Sequence, residues 1–346
     1  MATHKIPEYE LENVKVAYEQ CVAEGFIGVG VVCGSGGRRS AIHEVARRTG
    51  FSLKQVQYRL GAVGIGPLAG TGGSEYQPLD WTYPREHHLT LRNATVMCAG
   101  DLHMWPLARV PLSPIKAAFR AVAQELMPDA IVINGDIIDG TRISKHLALR
   151  GQNPPRVVDE VQAASDYLLS LPETVQRVIT MSNHDVRIDN YLGNQAPELA
   201  DMSPRLIDRL PGWTMAYAAV INDETEIRHE TGSGGIHVRH NNATRMGRTI
   251  VTGHTHQLGV SPVYTRNGVH YGIECGMLSH PFEPQFEYTW NRPTRWQPGF
   301  VVLTFDANGL LMPPELCEWT PRGAVFRGRV VEAEARYRVR AGSAAA

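Results

Sequence analysis

The chain lacks most of the features that assign a protein to a class at a glance. Its five cysteines (Cys21, Cys33, Cys98, Cys275 and Cys317) are scattered, odd in number and never spaced as Cys-x-x-Cys. That excludes a thiolate zinc ribbon and a disulfide framework, and it suits buried or free thiols in a reducing compartment. No apolar run approaches the roughly 20 residues that span a bilayer, and Met1-Ala2-Thr3-His4-Lys5 has no apolar core like that of a signal peptide. A soluble, cytoplasmic protein with no membrane partner is the expectation. Excess charge is missing as well: 34 Lys and Arg against 35 Asp and Glu leave a net charge of −1. No global field therefore draws it to nucleic acid or membrane, and electrostatic steering has to be local. There is no P-loop and no Gly-x-Gly-x-x-Gly fingerprint in a βαβ setting.

Histidine, by contrast, is plentiful, with 14 among 346 residues. A chain of that length has room for one large domain and a small one.

The first 66 residues read as a small helical module. Leu11, Val14, Tyr18 and Cys21 have helical spacing within 10–24, and a break containing Gly34, Gly36 and Gly37 follows. Ile42, Val45 and Ala46 mark one face of a second helix, Gly50 permits a tight turn, and Ser52 with Gln55 forms the capping box of a third. Val56 and Leu60 then point back to the preceding helix. Ala46, Gly50 and Val56 at these intervals resemble the helix-turn-helix of DNA-binding proteins. From Arg38 to Arg59 there are six basic residues and one acidic, Glu44. Arg47, Arg48, Ser52, Lys54, Gln57 and Tyr58 are the expected nucleic-acid contacts; the alternative is a helical hairpin used for packing or dimerisation.

Residues 67–93, rich in Gly, Pro, Ser and Thr, read as a linker. From residue 94 short apolar runs alternate with helical patterns. Strands are expected at 95–98, 130–133 and 178–181, with helices at 115–126 and 157–171 between them, which makes an α/β layered core. Further strands are expected at 226–229, 249–252, 269–275 and 300–305, with 325–331 an edge. With no long helices between them, they form a second sheet packed on the first. The main domain is expected to run from 94 to 335, with 336–346 a tail whose last residues, 341–346, are expected to be disordered.

Chemistry-bearing residues follow the apolar runs. Asp101 and His103 follow the first, Asp136 and Asp139 the second, Asn183-His184-Asp185 the third, and Gly253-His254-Thr255-His256 a later one. In open α/β sheets functional groups gather beyond the carboxyl ends of strands, so these clusters can share one crevice.

In this order, Asp-x-His, Gly-Asp-x-x-Asp, Asn-His-Asp, a lone His and Gly-His-x-His resemble the calcineurin-like metallophosphoesterase family. The resemblance implies an α/β (α+β) fold, a four-layer β-sandwich flanked by helices with a two-metal site at its top. It implies that Asp101, His103 and His256 hold one metal, that Asn183, a middle histidine and His254 hold another, and that Asp136 bridges them. His184 would protonate the leaving alkoxide or stabilise the phosphoryl oxygens, with Asp139 or Asp185 orienting its ring. The middle histidine is one of His229, His237 and His240. His229 is preferred because it ends a strand-like run and leaves room for a short helix before residue 249. Ser182 stands where the family usually has Gly, with a hydroxyl available behind the site.

The chemistry has its own logic. Phosphoester hydrolysis at neutral pH needs a hydroxide and neutralised phosphoryl oxygens, and two cations about 3.5–4 Å apart supply both. A nitrogen and oxygen ligand set without thiolate suits two divalent ions, manganese first, with iron, zinc or nickel as alternatives. Arg142 and Lys145 are the nearest candidates for a substrate phosphate, and Trp296 reads as core. The leading expectation is a metal-dependent phosphoric ester hydrolase that cleaves phosphodiesters in DNA. The alternatives are a phosphomonoesterase acting on nucleotides or phosphoproteins, and a DNA-binding regulator or phage assembly factor with a non-catalytic metal site.

Overall fold

The computed structural model describes residues 7–24, 26, 41–63, 83–106, 113–146, 149, 151–173, 175–200, 202–266, 268–289, 292 and 294–331. The chain divides into two compact units, Met1–Trp81 and Thr82–Ala346.

The first unit contains α1 (Glu8–Ala23), α2 (Ala41–Thr49) and α3 (Leu53–Ala62). Their apolar faces meet in one cluster built from Val14, Tyr18, Cys21, Ile42, Val45, Val56 and Leu60. Gly50 makes the turn between α2 and α3 at φ +73°, a conformation that costs glycine little. The capping box is present. The Ser52 backbone N–H donates to Gln55 Oε1 (2.9 Å) and the Gln55 N–H donates to Ser52 Oγ (3.3 Å). The expected glycine break at Gly34, Gly36 and Gly37, with Arg38 and Arg39, lies outside the described residues, as does the tail from 336.

The second unit has two mixed sheets. The larger is built from β2 (Ala94–Ala99), β3 (Ala130–Ile133), β4 (Gln176–Thr180), β5 (Thr214–Ala216), β11 (Gly299–Phe305), β12 (Glu315–Thr320), β13 (Gly323–Phe326) and β14 (Arg329–Val330). Its order is β14-β13-β12-β11-β2-β3-β4-β5; the run from β2 to β5 is parallel and the other pairings are antiparallel. The smaller contains β1 (Glu86–Leu89), β6 (Ala218–Ile221), β7 (Thr225–Ile227), β8 (Thr249–Thr252), β9 (Leu258–Thr265) and β10 (Gly268–Cys275), in the order β1-β6-β7-β8-β10-β9.

Strand alternation sets the layers. Val96 and Cys98 of β2 face Ile221, Val251 and Ile273 of the other sheet, while Met97 and Ala99 face helices α4 (Pro114–Leu126) and α5 (Val157–Leu169). Each fully buried aliphatic side chain contributes roughly 1.5–3 kcal/mol. On the outer face of the smaller sheet, α8 (Val238–Met246) presses so close that a Cβ at Gly272 would sit 1.8 Å from the Arg239 carbonyl oxygen. The result is four layers, helix–sheet–sheet–helix. Helices α6 (Arg187–Gln195) and α7 (Pro197–Ala200) lie in the connection from β4 to β5. Among the described residues, no helix is long and apolar enough to cross a membrane.

One boundary needs correction. The 67–93 stretch is not all linker: Glu86–Leu89 is a strand paired in parallel with Ala218–Ile221, and the second unit starts at Thr82. The polar sequence Glu-His-His-Leu hides it, since such a strand is held by main-chain bonds rather than by an apolar pattern.

Candidate metal centre

The connections leaving β2, β3, β4, β7 and β8 converge. Two are joined by main-chain bonds: Asp101 N–H donates to Gly135 O (3.0 Å), His103 N–H to Asp136 O (2.8 Å) and Met104 N–H to Ile137 O (3.0 Å). Asp101, His103 and Asp136 are thereby held side by side. Five of the ten described non-glycine residues with positive φ are here: Asp101 (+54°), His103 (+39°), Asp136 (+51°), His254 (+66°) and His256 (+58°). Each such conformation costs on the order of 1–3 kcal/mol and persists only where its surroundings impose it. Gly135, at φ +73°, admits the His229 ring, since a Cβ there would lie 2.5 Å from His229 Nδ1.

Three groups of candidate ligand atoms result; two share Asp136, one with Asp101, His103 and His256 and the next with His229 and His254, and a third joins His103, Asp139 and His184. In the first, His103 Nε2 lies 3.2 Å from His256 Nε2 and 3.3 Å from Asp136 Oδ2, and His256 Nε2 lies 3.2 Å from Asp101 Oδ1. In the second, His229 Nε2 lies 3.3 Å from Asp136 Oδ1. Two ligand atoms that each lie about 2.1 Å from one ion, at octahedral or tetrahedral angles, stand roughly 3.0–3.4 Å apart. Asp136 turns one carboxylate oxygen to each group.

The remaining polar atoms complete the fit. His103 Nδ1 donates to Asp139 Oδ1 (3.1 Å) and His229 Nδ1 to the Asn134 carbonyl (2.7 Å), so each Nε2 is left facing the centre. Asp136 Oδ1, Asn183 Oδ1 and His229 Nε2 are buried without a hydrogen-bond partner. Two imidazole nitrogens facing each other at 3.2 Å need a proton or a cation between them. The residues therefore fit a pair of cations.

The electrostatics agree. Burial opposes charge on His103 and His229, yet the Asp136 carboxylate outweighs it for both, helped at His103 by Asp139, and raises each to about 10. Burial likewise opposes ionisation of Asp136, but His184, His229 and His103 hold it well below the usual carboxylate range. In a cation-free protein the imidazoles carry the positive charge the site demands.

His184 belongs to neither of the groups that share Asp136 and stands instead with His103 and Asp139. Its Nδ1 donates to the Asp139 carbonyl (2.8 Å), and Arg187 Nη2 donates to its Nε2 (3.0 Å), which lies 3.9 Å from Asp136 Oδ2. Burial, with His103 and Arg187 nearby, pushes it down to about 4, so it is neutral at pH 7. The orienting role expected of Asp139 falls to its main-chain carbonyl, because its carboxylate serves His103. Asp185 does not orient His184. Its carboxylate accepts from Ile137 N–H (2.9 Å) and from Ser182 Oγ–H (2.7 Å), bracing the Asp136 loop instead.

Ser182 fits without a glycine's freedom, for it is not among the positive-φ residues. Its Oγ also accepts from the N–H groups of Asp136 (2.9 Å) and Asp185 (3.1 Å). Of the three middle histidines, His229 reaches the centre, whereas His237 and His240 are exposed. Arg142 turns away to the Pro154 carbonyl (2.8 Å), Lys145 is exposed, and Arg187 lines the cavity beside His184. Sequence reading missed Arg187; its one signal is the three-residue spacing from His184, one helical turn. Glu160 was missed too: from α5 it accepts the Asp139 and Gly140 N–H groups (2.9 and 2.7 Å). Trp296 packs on His256 and Phe286.

The expected nucleic-acid contacts lie in the first unit. Arg47 is bound at both ends of the Glu44 carboxylate (2.6 and 3.0 Å), and Arg48 bonds Glu44 (2.9 Å) and Glu24. Ser52 and Gln57 are exposed. The side chains of Lys54 and Tyr58 lie outside the described set.

By fold and site, this is an α/β protein with a candidate metal-binding cluster of nitrogen and oxygen groups. Residues 94–246 match the model of the calcineurin-like phosphoesterase family, and the chain carries a domain of that family. The match ends before His254 and His256, which the fold brings to the same centre. The Gene 54 protein of Mycobacterium phage D29 is 25% identical over 226 residues, covering 56% of this chain and 82% of its own. The Gene 54 protein of Mycobacterium phage L5 matches to the same extent. Among solved structures, Vps29 of Entamoeba histolytica, in complex with Zn2+, is 12% identical at a TM-score of 0.37, covering 67% of this chain and 96% of its own. Vps29 of Chaetomium thermophilum is 13% identical at a TM-score of 0.30, covering 66% and 98%.

Proposed function

We propose that this protein is a dinuclear-metal-dependent phosphoesterase that hydrolyses phosphodiester bonds in nucleic acid. The observation that carries the reading is the orphaned ligand set around Asp136, with His184 beside it held by the Asp139 carbonyl and Arg187. A purely structural metal site has no use for such a group.

Asp101, His103, Asp136 and His256 would hold one ion, and Asp136, Asn183, His229 and His254 the other. Bound there, two divalent cations neutralise the phosphoryl oxygens and supply hydroxide near neutral pH. Everything else falls to the chain. Asp139 and the Asn134 carbonyl fix the His103 and His229 rings. Arg187, beside His184 in the cavity lining, would offer its guanidinium to a phosphoryl oxygen. An anionic phosphoryl group favours the imidazolium form of His184, whose Nε2–H delivers its proton to the departing alkoxide while the Asp139 carbonyl holds Nδ1. Support for a nucleic-acid substrate comes from the first unit, where α2 and α3 meet through the Gly50 turn with Ser52 and Gln57 exposed.

The test uses the full chain with Mn2+ and bis-p-nitrophenyl phosphate. The wild type is expected to turn over. Asp136→Ala is expected to lose activity and metal together. His184→Ala should keep its metal but lose about 10²–10⁴-fold in kcat on diesters with alkyl leaving groups, and less on p-nitrophenyl esters, which leave unaided. Full activity of both variants, or no turnover by the wild type with Mn2+, Fe2+, Zn2+ or Ni2+, would overturn the reading.

A further inference from the structure

Asn183 lines two cavities. One, of about 470 Å³, is bounded also by His184, Arg187, His146 and Tyr288. The other, of about 360 Å³, is bounded by Tyr217, Arg228, His229 and Glu230. Both fall within the ~300–1,000 Å³ typical of pockets that take a small organic ligand. Two spaces thus meet at Asn183, which the proposed function makes a ligand.

The two spaces are furnished alike. Each has one half-exposed tyrosine, Tyr288 at 54% and Tyr217 at 47%, and one arginine. Single exposed aromatics are ordinary on a protein surface. Here one lines each of the two cavities that Asn183 borders. A phosphomonoester has one ester arm and needs one such space, whereas a phosphodiester has two. Aromatic faces stack on any base without reading its sequence, and guanidinium groups take up neighbouring phosphates. Bases locked in a duplex do not present their faces to such platforms.

We infer that Tyr288 and Tyr217 are stacking platforms for the two nucleobases on either side of the scissile phosphate, so that the enzyme acts on unpaired nucleotides. This rests on the phosphodiesterase reading above and adds the substrate class to it.

The test compares thymidylyl-thymidine with methyl p-nitrophenyl phosphate, a diester without bases, using the full chain and Mn2+. Stacking is worth about 1–3 kcal/mol per base. Tyr288→Ala and Tyr217→Ala should therefore each lower the ratio of kcat/KM for the dinucleotide to that for the small diester by roughly 5- to 150-fold. Tyr→Phe at each position should restore it. A second readout is independent of turnover: calorimetric binding of thymidylyl-thymidine to the Mn2+-loaded His184→Ala chain should weaken on adding either Tyr→Ala change. Ratios and affinities that do not move, or that move for one tyrosine alone, overturn the two-sided arrangement even where the small diester is hydrolysed. If no diester is hydrolysed but binding still follows both tyrosines, the phosphodiesterase reading fails while the base platforms stand.

Discussion

The two halves of the metal centre share Asp136 but differ in their exposure to water. Asp101, His103 and His256 are at most 5% exposed, and Phe286 and Trp296 pack on the His256 ring. In the other half His229 is as deeply buried, yet the His254 side chain is 43% exposed and lies 3.8 Å from Glu230 at the surface. His254 and His256 are two residues apart with similar backbone angles, so the difference comes from what covers them. A buried half with its rings already fixed loses little freedom on taking up an ion. An exposed half exchanges more readily and is where substrate can approach.

The largest expected effect breaks the two halves apart. His256→Ala should remove the buried ion and, with it, the anchor for the shared Asp136. Activity should fall by about 10²-fold or more, the scale on which loss of one preorganised electrostatic group is felt. His254→Ala should leave close to one ion per chain after gel filtration, measured by elemental analysis, with a weaker exchangeable second ion. If both variants lost metal equally, the halves would not differ as their burial implies.

A second test compares the centre with and without metal. In the cation-free protein His103 and His229 are raised to about 10, from an unfolded value near 6.5. A raised histidine contributes stability that is fully present below pH 6.5 and lost as pH rises through 10. The urea midpoint of the metal-free protein should therefore fall from about pH 6.5 towards pH 10. His184, lowered to about 4, works in the opposite sense and costs stability as pH falls from 6.5 towards 4. Metal takes over the role of the bound protons and should flatten the alkaline fall. A metal-free midpoint that rises between pH 7 and 10 would contradict this.

The same contrast explains what could be read in advance. Most candidate ligands could be singled out because they follow apolar strands with parallel neighbours, whose ends the fold places together, whereas His229 follows the mixed strand Thr225–Ile227. Ile131 and Ile250 announce their strands by composition. Leu258–Thr265 does not, because its Pro262 is tolerated only on the edge position it occupies. The three-residue strand Thr214–Ala216 is too short for a pattern to show. Arg187, Glu160 and the Asp139 carbonyl act through main-chain groups or across helices, and nothing local in the sequence marks such a partner. Choosing Asp185 as the partner of His184 failed for a related reason. Adjacency in a turn points the two side chains apart, one to the cavity and one to the loop beneath.

The smallest effect lies in that loop. Ser182 Oγ accepts from two backbone N–H groups and donates to Asp185, and all three bonds hold the turn that presents Asp136. Ser182→Ala keeps the packing against Gly135 but leaves the Asp136 and Asp185 N–H groups buried and unpaired, at a cost of about 1–3 kcal/mol in urea unfolding. Because Asp136 turns one oxygen to each ligand group, the change should weaken both halves together, by about 10- to 100-fold in metal affinity, as loss of an outer hydrogen bond does elsewhere. Asp139→Asn should instead weaken only the buried half, since the carboxylate of Asp139 bonds His103. If Ser182→Ala acted on one ion alone, Asp136 would not be the shared ligand.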